Sequence, residues 1–138
     1  MRLIGFNFTK INAEKKSNDL KKLNLTVGID ISDIKKAESK IISSSEEILL
    51  IGFEYKINYE KDIASLLFNG NMIISVDSSQ AKEILTQWKD KKISEEIRTS
   101  LFNIILKKAS IKAFQFEDEL NLPPHIPLPT FKPSEKKK

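Results

Sequence analysis

The sequence predicts an α+β domain: a four-stranded antiparallel sheet of Greek-key-like order, followed by a short and a long helix packed on one face. Three observations carry this. Four stretches before residue 77 alternate apolar and polar residues with period two. After Val76 the apolar spacing changes to three and four. The chain's 5 prolines then gather between Pro123 and Pro133, where a helix must already have ended.

Ile4, Phe6 and Phe8 form the first apolar row, ending near Lys10. Residues 12–22 are charged and separate it from a second run. There Leu23, Leu25, Val27, Ile29 and Ile31 alternate with Asn24, Thr26, Gly28 and Asp30. The third row is Leu49, Ile51, Phe53, Tyr55, Ile57 and Tyr59. The fourth is Ala64, Leu66, Phe68, Gly70, Met72, Ile74 and Val76. Each row sets apolar side chains on one face of a sheet and polar ones on the other. The short polar break at 58–62 predicts an antiparallel hairpin of the third and fourth runs. The longer stretch 32–47, with Ser43, Ser44 and Ser45 near its end, predicts a crossover carrying a helical turn. A long link in a four-stranded sheet suits a Greek key better than a meander.

In the second half, Ala81, Ile84, Leu85 and Trp88 fall at i, i+3, i+4 and i+7, with Ser79 the expected N-cap. Trp88 shares the apolar stripe and is expected to be substantially buried. A second helix starts at a Ser94 cap, with Glu95 and Glu96 placed well for the helix dipole. Its stripe is Ile97, Leu101, Ile104 or Ile105, and Ala109, widened by Phe102 and Leu106. The pattern continues through Ile111 and Phe114 towards Glu119, with Ser110 a candidate bend. Residues 1–124 therefore read as the domain, and 125–138 as an extended, proline-rich, basic tail whose last residues, 134–138, look compositionally disordered.

Composition excludes several chemistries. With no cysteine among 138 residues there is no disulfide framework, thiolate metal site or thiol nucleophile. The one histidine, His125, excludes any mechanism needing two imidazoles. The four glycines stand far apart, so no phosphate-cradling loop exists. No apolar run approaches the roughly 20 residues that span a bilayer, and no signal-peptide core opens the chain. A soluble, cytoplasmic protein without metal or cofactor is the expectation. Net charge is +4; Lys132, Lys136, Lys137 and Lys138 against Glu135 contribute +3 of it, leaving the body near neutral.

No set of residues defines a catalytic centre, so the expectation is not an enzyme. Glu46 with Glu47, and Glu117, Asp118 and Glu119, are carboxylate clusters without ligand-spaced loops, and read as solvated charge. His125, between prolines, reads as a packing or hydrogen-bonding group. More informative is the apolar excess late in the chain: Phe114, Phe116, Leu120, Leu122, Ile126, Leu128 and Phe131 exceed what a small domain can bury. Either the tail wraps back over the sheet, or this surface is an oligomer interface or an apolar binding groove.

Four antiparallel strands, a short helix and a long helix closing with Leu120, Asn121, Leu122 and Pro124 resemble the SecB family of protein-export chaperones, whose second helix also ends in a Leu-Asn-Leu-x-Pro segment. The order of elements is shared over residues 2–124. The resemblance implies an ATP-independent holdase that keeps unfolded or nascent polypeptide in an apolar groove. It also implies a tetramer built as a dimer of dimers. Family members are typically acidic and carry an acidic or motor-binding extension, where this chain has a basic tail. Docking to the export ATPase is therefore not implied, and a ribosome-linked holdase is as consistent as an export one.

The alternative is a ribosome- or RNA-associated protein. It would set Lys15, Lys16, Lys21, Lys22, Lys136, Lys137 and Lys138 on phosphates. Arginine is scarce, with only Arg2 and Arg98, so bidentate phosphate or guanine contacts are few.

Overall fold

In a computed structural model, residues 1–18, 24–37 and 45–133 are described. The two least interrupted apolar rows form the centre of the sheet, as β3 (Glu46–Tyr59) and β4 (Ala64–Asp77). Ile57 lies opposite Leu66, Tyr55 opposite Phe68, Ile51 opposite Met72 and Leu49 opposite Ile74. Directly opposed residues share a face, and all eight of these are fully buried. Outside them lie β2 (Leu25–Ala37) and β1 (Arg2–Lys15), in the order β1-β4-β3-β2 with every pairing antiparallel.

This is the Greek-key order, but the crossing link is not the one expected. β2, β3 and β4 follow one another as neighbours, so the crossover joins β1 to β2. Its two flanks are tied to the β3–β4 turn: the Lys16 N–H donates to the Ile63 carbonyl, and the Glu60 N–H to that of Asn24. The stretch 32–47 instead continues β2 to Ala37, opposite Ile48. Its first part is extended rather than helical. A register shift between Ile31 and Asp33 changes parity, so that Ile34 becomes the buried residue. Leu23, Ser43 and Ser44 lie outside the described residues.

β1 runs past Lys10 to Lys15 and carries two such shifts, between Leu3 and Gly5 and between Phe8 and Lys10. The first overturns part of the expected row. Leu3 pairs with Ile74 and packs on the core, while Ile4 is 48% exposed. One extra residue sends the next side chain to the opposite face. Gly70 sits where β1 and β3 crowd β4: a Cβ there would meet the Asn7 carbonyl oxygen and the Phe53 ring. The Phe6 ring stacks on Phe53 at 4.8 Å between centroids.

Helices α1 (Ser78–Trp88) and α2 (Glu95–Glu119) join the buried rows of β2, β3 and β4 in one core. The cap of α1 is Asp77, not Ser79: Asp77 Oδ1 accepts from the Gln80 N–H at 2.7 Å and from the Ser79 hydroxyl at 2.9 Å. Those two donors hold the Asp77 carboxyl below its ordinary range, the backbone N–H first. Ser94 caps α2 as expected, accepting from the Ile97 N–H at 3.3 Å. α2 is continuous through Ser110, which faces the core instead of marking a bend. Its buried stripe advances in steps of four, Ile97, Leu101, Ile105, Ala109, Ala113 and Glu117. Among the described residues no helix is long and apolar enough to cross a membrane.

Candidate functional site

Both helices end in the same turn. Asn121 adopts φ 52° and Lys91 φ 58°, the left-handed conformation that closes a helix. After α2, the Leu122 N–H reaches back to the Glu117 carbonyl at 2.7 Å and the Asn121 N–H to that of Asp118 at 3.2 Å. After α1, the Lys92 N–H bonds to the Gln87 carbonyl and the Lys91 N–H to that of Trp88. Leu120-Asn121-Leu122 is thus a helix stop with a physical role. Asparagine tolerates the left-handed position, and Leu122 is buried beneath it, 6% exposed.

The turn delivers the tail onto a buried polar cluster that sequence reasoning missed. Glu117 is buried, contrary to its reading as solvated charge, whereas Asp118 and Glu119 are exposed. Its Oε2 accepts from the Tyr59 hydroxyl at 2.9 Å and from the His125 backbone N–H at 3.0 Å. His125 Nδ1 lies 3.0 Å from each carboxylate oxygen. His125 Nε2 lies 3.1 Å from Ser110 Oγ. The Tyr59 hydroxyl is also 2.7 Å from the Pro123 carbonyl. With Nδ1–H donating to the carboxylate, Nε2 accepts the Ser110 hydroxyl proton, so Glu117, His125 and Ser110 partner one another, while the buried Tyr55 hydroxyl has no hydrogen-bond partner among the described residues. Burial, then the hydrogen bond to Glu117 and its charge, raise Tyr59 far above the ordinary tyrosine range. Tyr55 is raised as well, by burial first, with the Ser110 hydroxyl opposing and Glu117 adding.

Serine, imidazole and carboxylate stand here in the order of a nucleophile, its base and the group that orients the base. The surroundings deny that chemistry. Ser110 is buried in mid-helix, and its backbone N–H belongs to the helix ladder, so it cannot serve an oxyanion. What the cluster does is fasten the tail to α2 and β3. The signal was present in the spacing: two more steps of four beyond Ala109 reach Ala113 and Glu117.

The late apolar residues, expected to wrap the sheet, meet another copy or line a groove for polypeptide, divide at this fastening. Phe116 and Leu120 pack against the core, and Leu122 is part of it. Phe114 is half-buried, its ring 4.9 Å from the imidazole of His125. Beyond the fastening, Ile126 and Leu128 are 40% and 53% exposed, and Phe131 is wholly exposed. Residues 122–133 contain no helix or strand. Of the lysines considered for RNA, Lys15 is engaged within the fold: its Nζ donates to the Leu120 carbonyl at 2.8 Å, at the negative end of α2. Lys16 is exposed. Lys21, Lys22, Lys136, Lys137 and Lys138 lie outside the described residues.

A second region lies at the other end of α2. There a cleft of about 710 Å³ opens between β2 and the connection of the two helices. Its apolar lining is Ile31, Trp88, Ile93 and Phe102, and its charged lining Lys91, Lys92 and Arg98 against Asp30. Trp88 is largely buried and packs against the core, as expected from its stripe, and its buried indole N–H has no hydrogen-bond partner among the described residues. Lys91 Nζ stands 4.9 Å from the centroid of its ring.

The chain matches no protein-family model and no curated protein. Among solved structures it is similar to a SecB-like chaperone of Mycobacterium tuberculosis, determined in complex with a ChAD peptide from the HigA1 antitoxin. The TM-score is 0.50 and the identity 15%, over 96% of this chain and 92% of that one. That likeness is one of fold.

Proposed function

We propose that the chain is a SecB-like, ATP-independent holdase of the cytoplasm, which keeps unfolded or nascent polypeptide from aggregating by burying its apolar segments. The reading is carried by the open cleft beside β2, which sets Ile31, Trp88, Ile93 and Phe102 among charged residues, on a fold shared with a SecB-like chaperone. A holdase needs such a surface, because only apolar burial and backbone pairing are common to clients of differing sequence. The tail adds to it. Phe114, Phe116, Leu120 and Leu122 anchor its base, and Ile126, Leu128 and Phe131 project from an extended, proline-fixed segment that has little entropy left to lose on binding.

In this reading the working form is a homo-oligomer, a tetramer arranged as a dimer of dimers. Supporting surfaces are the outer edge of β1, unpaired among the described residues, and Leu106 and Ile111 facing outward on α2. Solution mass measures this directly; four times 15.8 kDa is the expected value.

The test of function is protection of a denatured client from aggregation. Replacing Ile126, Leu128 and Phe131 together by serine should weaken holding without unfolding the chain, since all three are exposed. Replacing Lys136, Lys137 and Lys138 by alanine should leave holding intact. If the lysine change abolishes function and the serine change does not, a ribosome- or RNA-associated role takes the place of this one.

A further inference from the structure

We infer that the cleft beside β2 selects acidic polypeptide: an extended segment that lays its backbone along the outer edge of β2, places an apolar side chain against Trp88 and Phe102, and sets its carboxylates on Lys91, Lys92 and Arg98. This rests on the proposed holdase reading and names the class of segment it takes. Three cations against the single carboxylate of Asp30 give the lining a net charge of +2. None of the three cations forms an ion pair with a described residue, and all three are exposed. Asp90, Glu95 and Glu96 stand nearby in sequence but do not line the cleft.

One feature indicates a polypeptide rather than a nucleotide, since basic and aromatic groups together would suit either. It is the strand edge. β2 has β3 on one side and no partner among the described residues on the other, so the outward N–H and C=O groups of its regular stretch up to Ile31, before the register shift at Ser32, are available to a further strand. A nucleotide has no use for that ladder. The charge is placed by Lys91, which takes a left-handed conformation where glycine would be unstrained. The turn thereby carries an ammonium at the aromatic wall instead of a bare backbone.

The experiment uses the full chain and two synthetic ten-residue peptides, one alternating apolar residues with Asp and Glu, the other with Lys in their place. Trp88, the chain's sole tryptophan, reports binding by fluorescence. The acidic peptide should bind about tenfold more tightly at low salt, with the gap closing as salt is added. Changing Lys91, Lys92 and Arg98 to glutamate should reverse the order of the two peptides. Methylating the amides of the acidic peptide on one alternation, but not the other, should weaken binding. Equal affinities, an order unchanged in the triple variant, or no effect of either methylation would overturn the inference. So would binding of a short oligoribonucleotide in place of the peptides. If neither peptide binds while the chain still protects a denatured client, the inference fails and the holdase reading stands. Loss of both ends both.

Discussion

Glu117 Oε2 and His125 Nδ1 lie 3.0 Å apart, with side chains only 2% and 1% exposed, so the sole histidine of the chain and a carboxylate eight residues before it close the helix–tail junction from water. A buried partner of this kind is costly to remove, because the group left behind keeps its desolvation penalty without its hydrogen bonds. His125→Ala should destabilise the fold by about 3–5 kcal/mol. Adding Glu117→Gln, which removes the stranded carboxylate, should recover part of that. Urea unfolding midpoints of the single and double variants measure both effects.

Tyr59 gives an alkaline signature. Its folded value is raised by burial and by Glu117, so the unfolded chain releases its proton first as pH rises. The associated stability is fully present below about pH 10, the ordinary tyrosine value, and is lost progressively above it. Thermal unfolding of the wild type should therefore fall more steeply above pH 10 than that of Tyr59→Phe. Parallel curves would show that Tyr59 is not held as described.

Gly70→Ala tests the crowding of the central strands. A methyl group there meets the Asn7 backbone, which no rotamer change can move aside, as well as the Phe53 ring. The cost should be about 1–3 kcal/mol, in the range of overpacked cores. Gly28→Ala, where nothing lies within 4 Å of the added carbon, is the control and should change little.

Asn121 should discriminate among replacements by backbone alone. At φ 52°, Asn121→Gly is tolerated, while the β-branched Asn121→Val should cost about 1–2 kcal/mol. The same turn places Pro123 and His125, so the valine variant should also loosen the tail. Limited proteolysis between residues 122 and 133, followed by mass, reads that loosening directly.

Period two marked the rows that became β3 and β4, because both strands are regular and each has one wholly buried face. Period likewise marked α1 and α2, and the Ser94 cap marked the start of α2, whereas α1 is capped by Asp77 and not by the expected Ser79. Illegible were the register shifts at Leu3/Gly5, Phe8/Lys10 and Ile31/Asp33, since an extra residue in a ladder leaves no compositional sign. They are why Ile4 points outward and Ile34 inward. Glu117 was misread because residue type was weighed above position: a carboxylate between Phe116 and Asp118 looks solvated until the i+4 rows are followed to the helix end. The cleft was invisible for a different reason. Trp88, Arg98 and Ile31 come from three elements, and only packing brings them together.

The Greek-key order has a consequence for the chain while it is being made. β1 leaves the ribosome first, yet its partner in the sheet is β4, whose last residue follows Lys15 by more than sixty positions. Strands β2, β3 and β4 can zip in the order of synthesis, each onto its predecessor. β1 must wait for all of them, with Leu3, Phe6 and Phe8 unburied throughout. A domain proposed to shelter unfinished polypeptides thus itself begins as one, with its earliest strand the last to be housed.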